Sequence, residues 1–516
     1  MKGVDLDPSG ALPPDAGSAT EKPITLSPAH RKMDRSLAKS LMWRAAADWT
    51  SQILSWASLL VVVRLLTPAD FGIAAMAVVF FPYLRYLGEF GVPQIIITLR
   101  DLRESQIAQL NTVAVLLGIA FFGIAVCLAR PIAWFFRIPK LAPVVIVTCI
   151  ALVPLGARAV PEGLLRKEMK FKLLSFFDAL RDIITAIGTL VLAWLGFGFW
   201  ALVWGNLMGT TARALLIVAT RPQAFAWPHL RSIRHSLSFG WHVLVSVLAW
   251  TAYERLDNLT AGRMLGQVAL GFYGMAWTLA NVPIEKLTSL VTNVLPSYLA
   301  AVQKDPPALR RYLRTLTETL ALATFPATIG LGLVARELIP LTLGHKWDGV
   351  ILPLEILSTY AAFRSIVALL PKVLTAVGNA RFVMWNDLAA LIILPVAFYI
   401  GAHWGTAGIA WGWVAAYPLV AFPLYWKTCK TIHMKPGEYL RSLRPAFEST
   451  VAMALAVGLL KWQLAERAPV LLRLVFEIST GVMAYVSTAW LLHRRRMLVF
   501  LDMAKTLISR KAPASA

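Results

Sequence analysis

Between Leu41 and Leu492 the chain is filled by apolar stretches separated by short basic interruptions, each long enough to cross a bilayer as a helix. Such a helix needs roughly 20 mostly apolar residues, because in hydrocarbon every backbone donor and acceptor must be satisfied inside the segment. Fourteen segments can be placed, at 41–66, 72–99, 106–129, 141–160, 173–195, 197–219, 236–260, 268–297, 312–338, 351–376, 382–402, 406–428, 444–463 and 471–492. The second and eighth are expected to kink or break, since Gly88, Gly91 and Pro93 sit in one and Pro283 in the other. With 58% hydrophobic and only 15% charged residues, and a mean hydropathy of +0.63, a water-soluble fold is excluded.

Loop charge fixes the orientation. With the amino terminus in the cytoplasm, the segments on that side carry roughly 31 Lys and Arg against about 9 on the other, the bias expected of cytoplasmic loops. Both termini then lie in the cytoplasm. The same bias accounts for the net charge of +22, which is spread over many short loops facing an anionic leaflet rather than gathered into a nucleic-acid-binding face. Cys127, Cys149 and Cys429 lie in or beside spans without metal-ligand spacing and read as small apolar fillers. No metal or other cofactor is expected. Residues 1–40 are polar and read as a disordered cytoplasmic tail, in which Asp5-Leu6-Asp7 is a three-residue coincidence with no specificity; 493–516 read as a basic cytoplasmic tail.

The chain repeats itself. Arg64 to Gly72 and Met76-Ala77 match Arg263 to Gly271 and Met275-Ala276 without a gap; Gly198, Trp204 and Gly205 recur as Gly405, Trp411 and Gly412; Pro161 with Asp178 corresponds to Pro371 with Asp387. The displacement is near 200 residues, or six spans, so the two copies enter the membrane in the same sense. The expected fold is an all-α integral membrane protein of about 14 transmembrane helices, with two six-helix bundles related by a pseudo-twofold axis along the membrane normal. The bundles occupy 41–219 and 236–428, and an extra helix pair occupies 444–492. Two matched lobes around a midplane crevice suit alternating access.

Ionisable residues inside spans are costly unless paired or facing water, so they are the functional candidates. Arg44 with Asp48, Arg85 with Glu89, Arg158 with Glu162, and Asp178 with Asp182 around Arg181 are spaced for pairing on one helix face or for lining a polar cavity. Arg364 has no carboxylate at helical distance, and Arg213 is close enough to a cytoplasmic end to snorkel. Arg85, Arg255, Lys286 and Arg364, with Arg44 next, are the candidates for a cationic cavity that would take a phosphate-bearing substrate. Asp48, Glu89, Glu254, Asp257 and Glu318 are the candidates for coupling transport to an ion. Trp43, Trp49, Trp134, Trp200 and Trp404 fall near span ends as interfacial anchors; Trp250, Trp277 and Trp411 are packing residues or stacking platforms for sugar. No catalytic constellation is visible: the longest outer loop, around Leu338 to Val350, offers only His345, Lys346 and Asp348, too little for a membrane polymerase or ligase.

The run Arg64-Leu-Leu-Thr-Pro-Ala-Asp-Phe-Gly72, the Gly88-Glu-Phe-Gly91 segment, the basic Leu164 to Phe171 loop and Leu256-Asp-Asn to Gly266 followed by Leu270-Gly-Phe-Tyr273 resemble the polysaccharide (Wzx-type) flippases of the multidrug/oligosaccharidyl-lipid/polysaccharide exporter superfamily. The resemblance covers about residues 35–490. It implies export of a polyprenyl-pyrophosphate-linked oligosaccharide across a bacterial inner membrane for O-antigen, exopolysaccharide or capsule, through a cationic cleft, alongside polymerase and export machinery. The lipid II flippase and the multidrug antiporters of the same superfamily are the rival readings.

Overall fold

The computed structural model describes residues 55–99, 102–292, 305–464 and 468–509. All regular structure among them is helical. Ser55–Leu65 (α1) leads into Pro68–Val79 (α2), Phe81–Glu89 (α3) and Val92–Thr98 (α4). Glu104–Phe136 (α5), Leu141–Cys149 (α6), Leu152–Lys167 (α7), Phe171–Trp194 (α8) and Phe199–Thr220 (α9) complete the first half. Leu230–Thr292 (α10), Pro306–Leu333 (α11), Ala335–Thr342 (α12), Ile351–Val367 (α13), Leu370–Ala376 (α14), Ala380–Gly401 (α15) and Gly405–Thr431 (α16) form the second. Pro436–Leu464 (α17) and Val470–Ser509 (α18) follow.

Nine stretches among the described residues are long and apolar enough to cross a membrane; one of them, Ala380–Thr431, holds two helices. Helices α8 and α10 are long enough but more polar. The protein is thus a multi-pass membrane protein, and the count of fourteen crossings stays an expectation. The second expected span breaks into α2, α3 and α4, with Phe90 and Gly91 both left-handed between the last two. The eighth runs through Pro283 unbroken as far as Thr292, and the discontinuity of α10, at Gly266 with φ of 83°, falls between the expected seventh and eighth spans. Residues expected as a tail after 492 continue as helix to Ser509, past a kink at His493.

The internal repeat has a physical counterpart. Thr67, which accepts from the Asp70 amide to cap α2, occupies the position equivalent to Gly266, so the chain is interrupted at the same register in both halves. Beyond these breaks α2 and the second part of α10 pack backbone to backbone. A Cβ on Gly72 would lie 1.7 Å from the Gln267 carbonyl oxygen, and one on Gly271 would lie 1.9 Å from the Pro68 carbonyl oxygen. Gly72 and Gly271 are repeat partners, as are Pro68 and Gln267, so the contact is reciprocal, the signature of a two-fold interface. Only glycine permits such approach, as at close crossings of membrane helices. Gly198 and Gly405, also repeat partners, start α9 and α16 with φ of 55° and 75°.

The same end of the molecule is clasped by side chains. Arg64 at the end of α1 donates to the carbonyls of Leu341 (2.7 Å) and Thr342 (2.9 Å), the last residues of α12. In return Lys346 donates to the carbonyls of Arg64 and Leu66, both at 2.7 Å. Each cation caps the carbonyl end of a helix in the opposite half, where the helix dipole favours positive charge. Trp347, fully buried, donates its indole N–H to Val63 (3.0 Å) and sits edge-on to Phe71 of the first half and Phe272 of the second. The expected outer loop is therefore a packed plug between the halves.

The extra pair is fastened to the second half at both ends. At one end Lys461 of α17 binds Glu337 of α12 (2.6 Å), with Arg473 and Glu477 of α18 beside them. At the other, Arg496 of α18 binds Glu318 of α11 (2.6 Å).

Candidate functional site

Helices α3, α4, α7, α8 and α9, with Leu244 of α10, line a polar hollow of about 510 Å³. The sequence makes it polar because four of these helices turn one charged face inward: Arg85 and Glu89 are one turn apart on α3, Arg158, Glu162 and Arg166 follow at successive turns on α7, Asp178 and Arg181 lie on α8, and Arg213 lies on α9. At its heart Glu162, 6% exposed, accepts from three guanidiniums: Arg158, Arg166 (2.8 Å) and Arg213 (3.0 and 3.2 Å). Arg213 also donates to Asp178 (2.6 Å), and Glu89 lies 3.6 Å from Arg158. A buried carboxylate is tolerable only with such multiple donors.

One expectation needs correction here. Arg213 does not snorkel: it is 7% exposed and is consumed by Glu162 and Asp178, because carboxylates lie nearer than water. Arg85 and Glu89, spaced either for pairing or for lining a cavity, both line the hollow and do not pair with each other; Glu89 turns to Arg158, while Arg85 rests over the Tyr86 ring at 4.5 Å. Its Nε is buried and has no hydrogen-bond partner among the described residues. Five arginines against three carboxylates leave the hollow positive, with Arg85 carrying unused hydrogen-bonding capacity into it.

A second hollow, of about 430 Å³, lies between the halves. Phe71, Ala75 and Val78 of α2 face Gly271, Gly274 and Trp277 of α10, and its polar lining comes from Thr148, Asn206, Arg255, Asn258 and Thr278. Arg255 is therefore placed in the crevice. Behind it Arg364 donates to Asn281 (2.8 Å) and lies 5.7 Å from the Trp277 ring, which stacks on Tyr360. Trp277 thus stands at the edge of the hollow, whereas Trp411 is 56% exposed on the outer surface, and Trp134 and Trp404 are exposed at helix ends.

Asp257 is fully buried beneath this hollow. It accepts from the Tyr273 hydroxyl (2.8 Å), the Trp413 indole (3.2 Å), and both the backbone and side-chain nitrogens of Asn258 (2.6 and 2.9 Å). Glu318 borders a third hollow on α11 and is paired with Arg496. Arg44 and Asp48 lie outside the described residues, as do the side chains of Glu254 and Lys286. The structure therefore brings Arg85 and Glu89 together in one hollow, places Arg255 in a second with Arg364 behind it, and sets Glu318 apart. Glu162 and Arg158, which sequence left balanced between mutual pairing and cavity lining, turn out to organise the first hollow; three acidic and basic residues on one face of α7, flanked by Pro161 and Gly163, were the available signal. No cluster suited to a metal ion occurs among the described residues.

The chain and its fold are similar to those of known proteins. The family described as polysaccharide biosynthesis protein matches residues 61–352, more than half of the chain. Lipopolysaccharide biosynthesis protein WzxC of Escherichia coli (strain K12) is 26% identical over 439 residues, covering 82% of this chain and 88% of that protein. Succinoglycan biosynthesis transport protein ExoT of Rhizobium meliloti (strain 1021) is 22% identical over 494 residues, covering 93% and 98%. Among solved structures, lipid II flippase MurJ in an inward closed conformation superimposes with a TM-score of 0.69 at 15% identity, over 88% of this chain and 100% of that one. An inward-facing multidrug resistance MATE family transporter gives 0.58 at 15% identity, over 74% and 94%. At these identities the structural likeness is one of fold. On the extent of the family match, the chain belongs to the polysaccharide biosynthesis protein family.

Proposed function

We propose that the protein carries a polyprenyl-pyrophosphate-linked oligosaccharide across the bacterial inner membrane for surface polysaccharide assembly, as a transporter rather than an enzyme. Residues 41–219 and 236–428 act as two lobes that rock against each other, closing and parting at the contact between α2 and α10, with both chain termini in the cytoplasm. The observation that carries this is the positive hollow around Glu162, where Arg85 presents an unsatisfied guanidinium nitrogen: low-dielectric surroundings and a planar donor fork suit a pyrophosphate, and a drug cation would be repelled. Arg255, Arg364, Lys286 and Arg44 extend the cationic path, and the neutral amides of Asn206 and Asn258 beside Trp277 suit sugar hydroxyls and ring faces.

With the clasped end assigned to the periplasm, the closed contact would face outward and substrate would enter from the cytoplasmic leaflet. Glu89, Asp257 and Glu318, with Asp48 and Glu254, are the carboxylates available for ion coupling; Asp257 would have to shed donors to take part. Polymerase and export machinery are the expected functional partners. The test is depletion of the protein while lipid-linked oligosaccharide is followed by leaflet. Accumulation on the cytoplasmic side supports the proposal; normal translocation with failed chain lengthening refutes it.

A further inference from the structure

The third hollow, of about 530 Å³, belongs to neither the arginine cluster nor the crevice. It lies where three separate elements meet: the start of α11, the start of α17, and α18 beyond its kink. Arg310 and Arg314 are one turn apart on α11 with Arg311 beside them, and Arg496 closes the opposite wall. The four arginines differ in what they already bind. Arg496 is anchored to Glu318 (2.6 Å), and Arg310 donates to the His433 carbonyl (3.1 Å), so these two form walls. Arg311 and Arg314 are exposed and border the opening. Glu318 and Glu438 leave a positive balance, and Leu322 with Met434 supply an apolar floor.

We propose that this hollow binds the phosphate headgroup of an anionic phospholipid. Arginines that merely snorkel fan outward over a convex surface, whereas these converge from α11 and α18 on one concavity at the basic end of the molecule. The apolar floor beneath them favours a headgroup continuous with glycerol and acyl chain over a free phosphate ion. Because α11 and α18 supply opposite walls, an occupant would bridge the second half and the extra helix pair.

The experiment titrates the purified full chain in detergent with phosphatidylglycerol or phosphatidylcholine and counts bound lipid by native mass spectrometry. One saturable phosphatidylglycerol site is expected, and phosphatidylcholine should not fill it. At about fivefold per arginine, Arg311→Ala/Arg314→Ala should weaken that site on the order of 30-fold. Arg311→Lys/Arg314→Lys keeps the charge and should fall between that variant and the unaltered chain; Arg130→Ala/Arg137→Ala, at the end of α5 where Phe136 packs on Gly262 near the clasped end, should leave the site intact. Equal loss in the Arg130 and Arg137 control, or affinity within about twofold of normal in the alanine pair, overturns the proposal in favour of diffuse attraction. Inorganic pyrophosphate that binds with no preference for phosphatidylglycerol over phosphatidylcholine overturns the lipid assignment.

Discussion

Replacing Gly271 with Ala tests whether the contact between α2 and α10 holds the clasped end shut. The added Cβ would stand 1.9 Å from the Pro68 carbonyl oxygen, inside the 3.0 Å limit that real contacts respect, so the helices must separate by more than 1 Å on the order expected for an overpacked core. Overpacking of this kind costs about 1–3 kcal/mol, and the cost falls on the conformer in which the two backbones touch. The equilibrium should then move about 5- to 150-fold toward a form open on the clasped side. Gly72→Ala should do the same, since its Cβ meets the Gln267 carbonyl at 1.7 Å, and the double variant should be less than additive because the first separation makes room for the second substituent. The assay is labelling of Ala74→Cys, in the crevice, by an impermeant maleimide added outside cells, on a Cys127→Ser background because Cys127 is itself exposed. Unchanged labelling at normal protein abundance in both single variants would refute the assignment of this contact as the closure.

Lys346→Ala removes two hydrogen bonds to the carbonyl end of α1 and should weaken closure by about 1–2 kcal/mol, read as raised labelling at the same cysteine. Glu162→Gln leaves Arg158, Arg166 and Arg213 facing a neutral group and should lower folded protein by an effect of about 3–5 kcal/mol, with Arg213→Met in the same chain restoring part of it; thermal unfolding in detergent measures both. Arg85→Ala and Arg364→Ala should reduce oligosaccharide export more than protein abundance; parallel loss of the two would make them structural. Trp347→Phe forfeits the indole donation to Val63 but keeps the ring between Phe71 and Phe272, so it should cost about 1 kcal/mol of closure, against several for Trp347→Ala.

The membrane class and the duplication were legible because both rest on local, periodic signals: apolar length, loop charge, and glycines and tryptophans at fixed spacing. The Gly72 and Gly271 match even named the residues that touch across the halves, since glycine at a close crossing cannot drift. Charge partners were less legible. Spacing along a helix suggested Arg85 with Glu89, yet Glu89 turns to α7 instead, because residues from neighbouring helices compete with those one turn away and sequence does not reveal which helices are neighbours. Arg213 shows the same limit, its partners lying 35 and 51 residues away. Asp257 was singled out as titratable, but its four donors include Trp413, 156 residues distant, which no local pattern could supply.

The ties of Lys461 to Glu337 and of Arg496 to Glu318 lie at opposite ends of the extra helix pair, so any swing of the second half must drag that pair along as cargo. Engineered covalent links can separate passenger from stator: a bond joining α17 to α11 should leave turnover untouched, while one joining the pair to the first half should stall the cycle in whichever pose it was made.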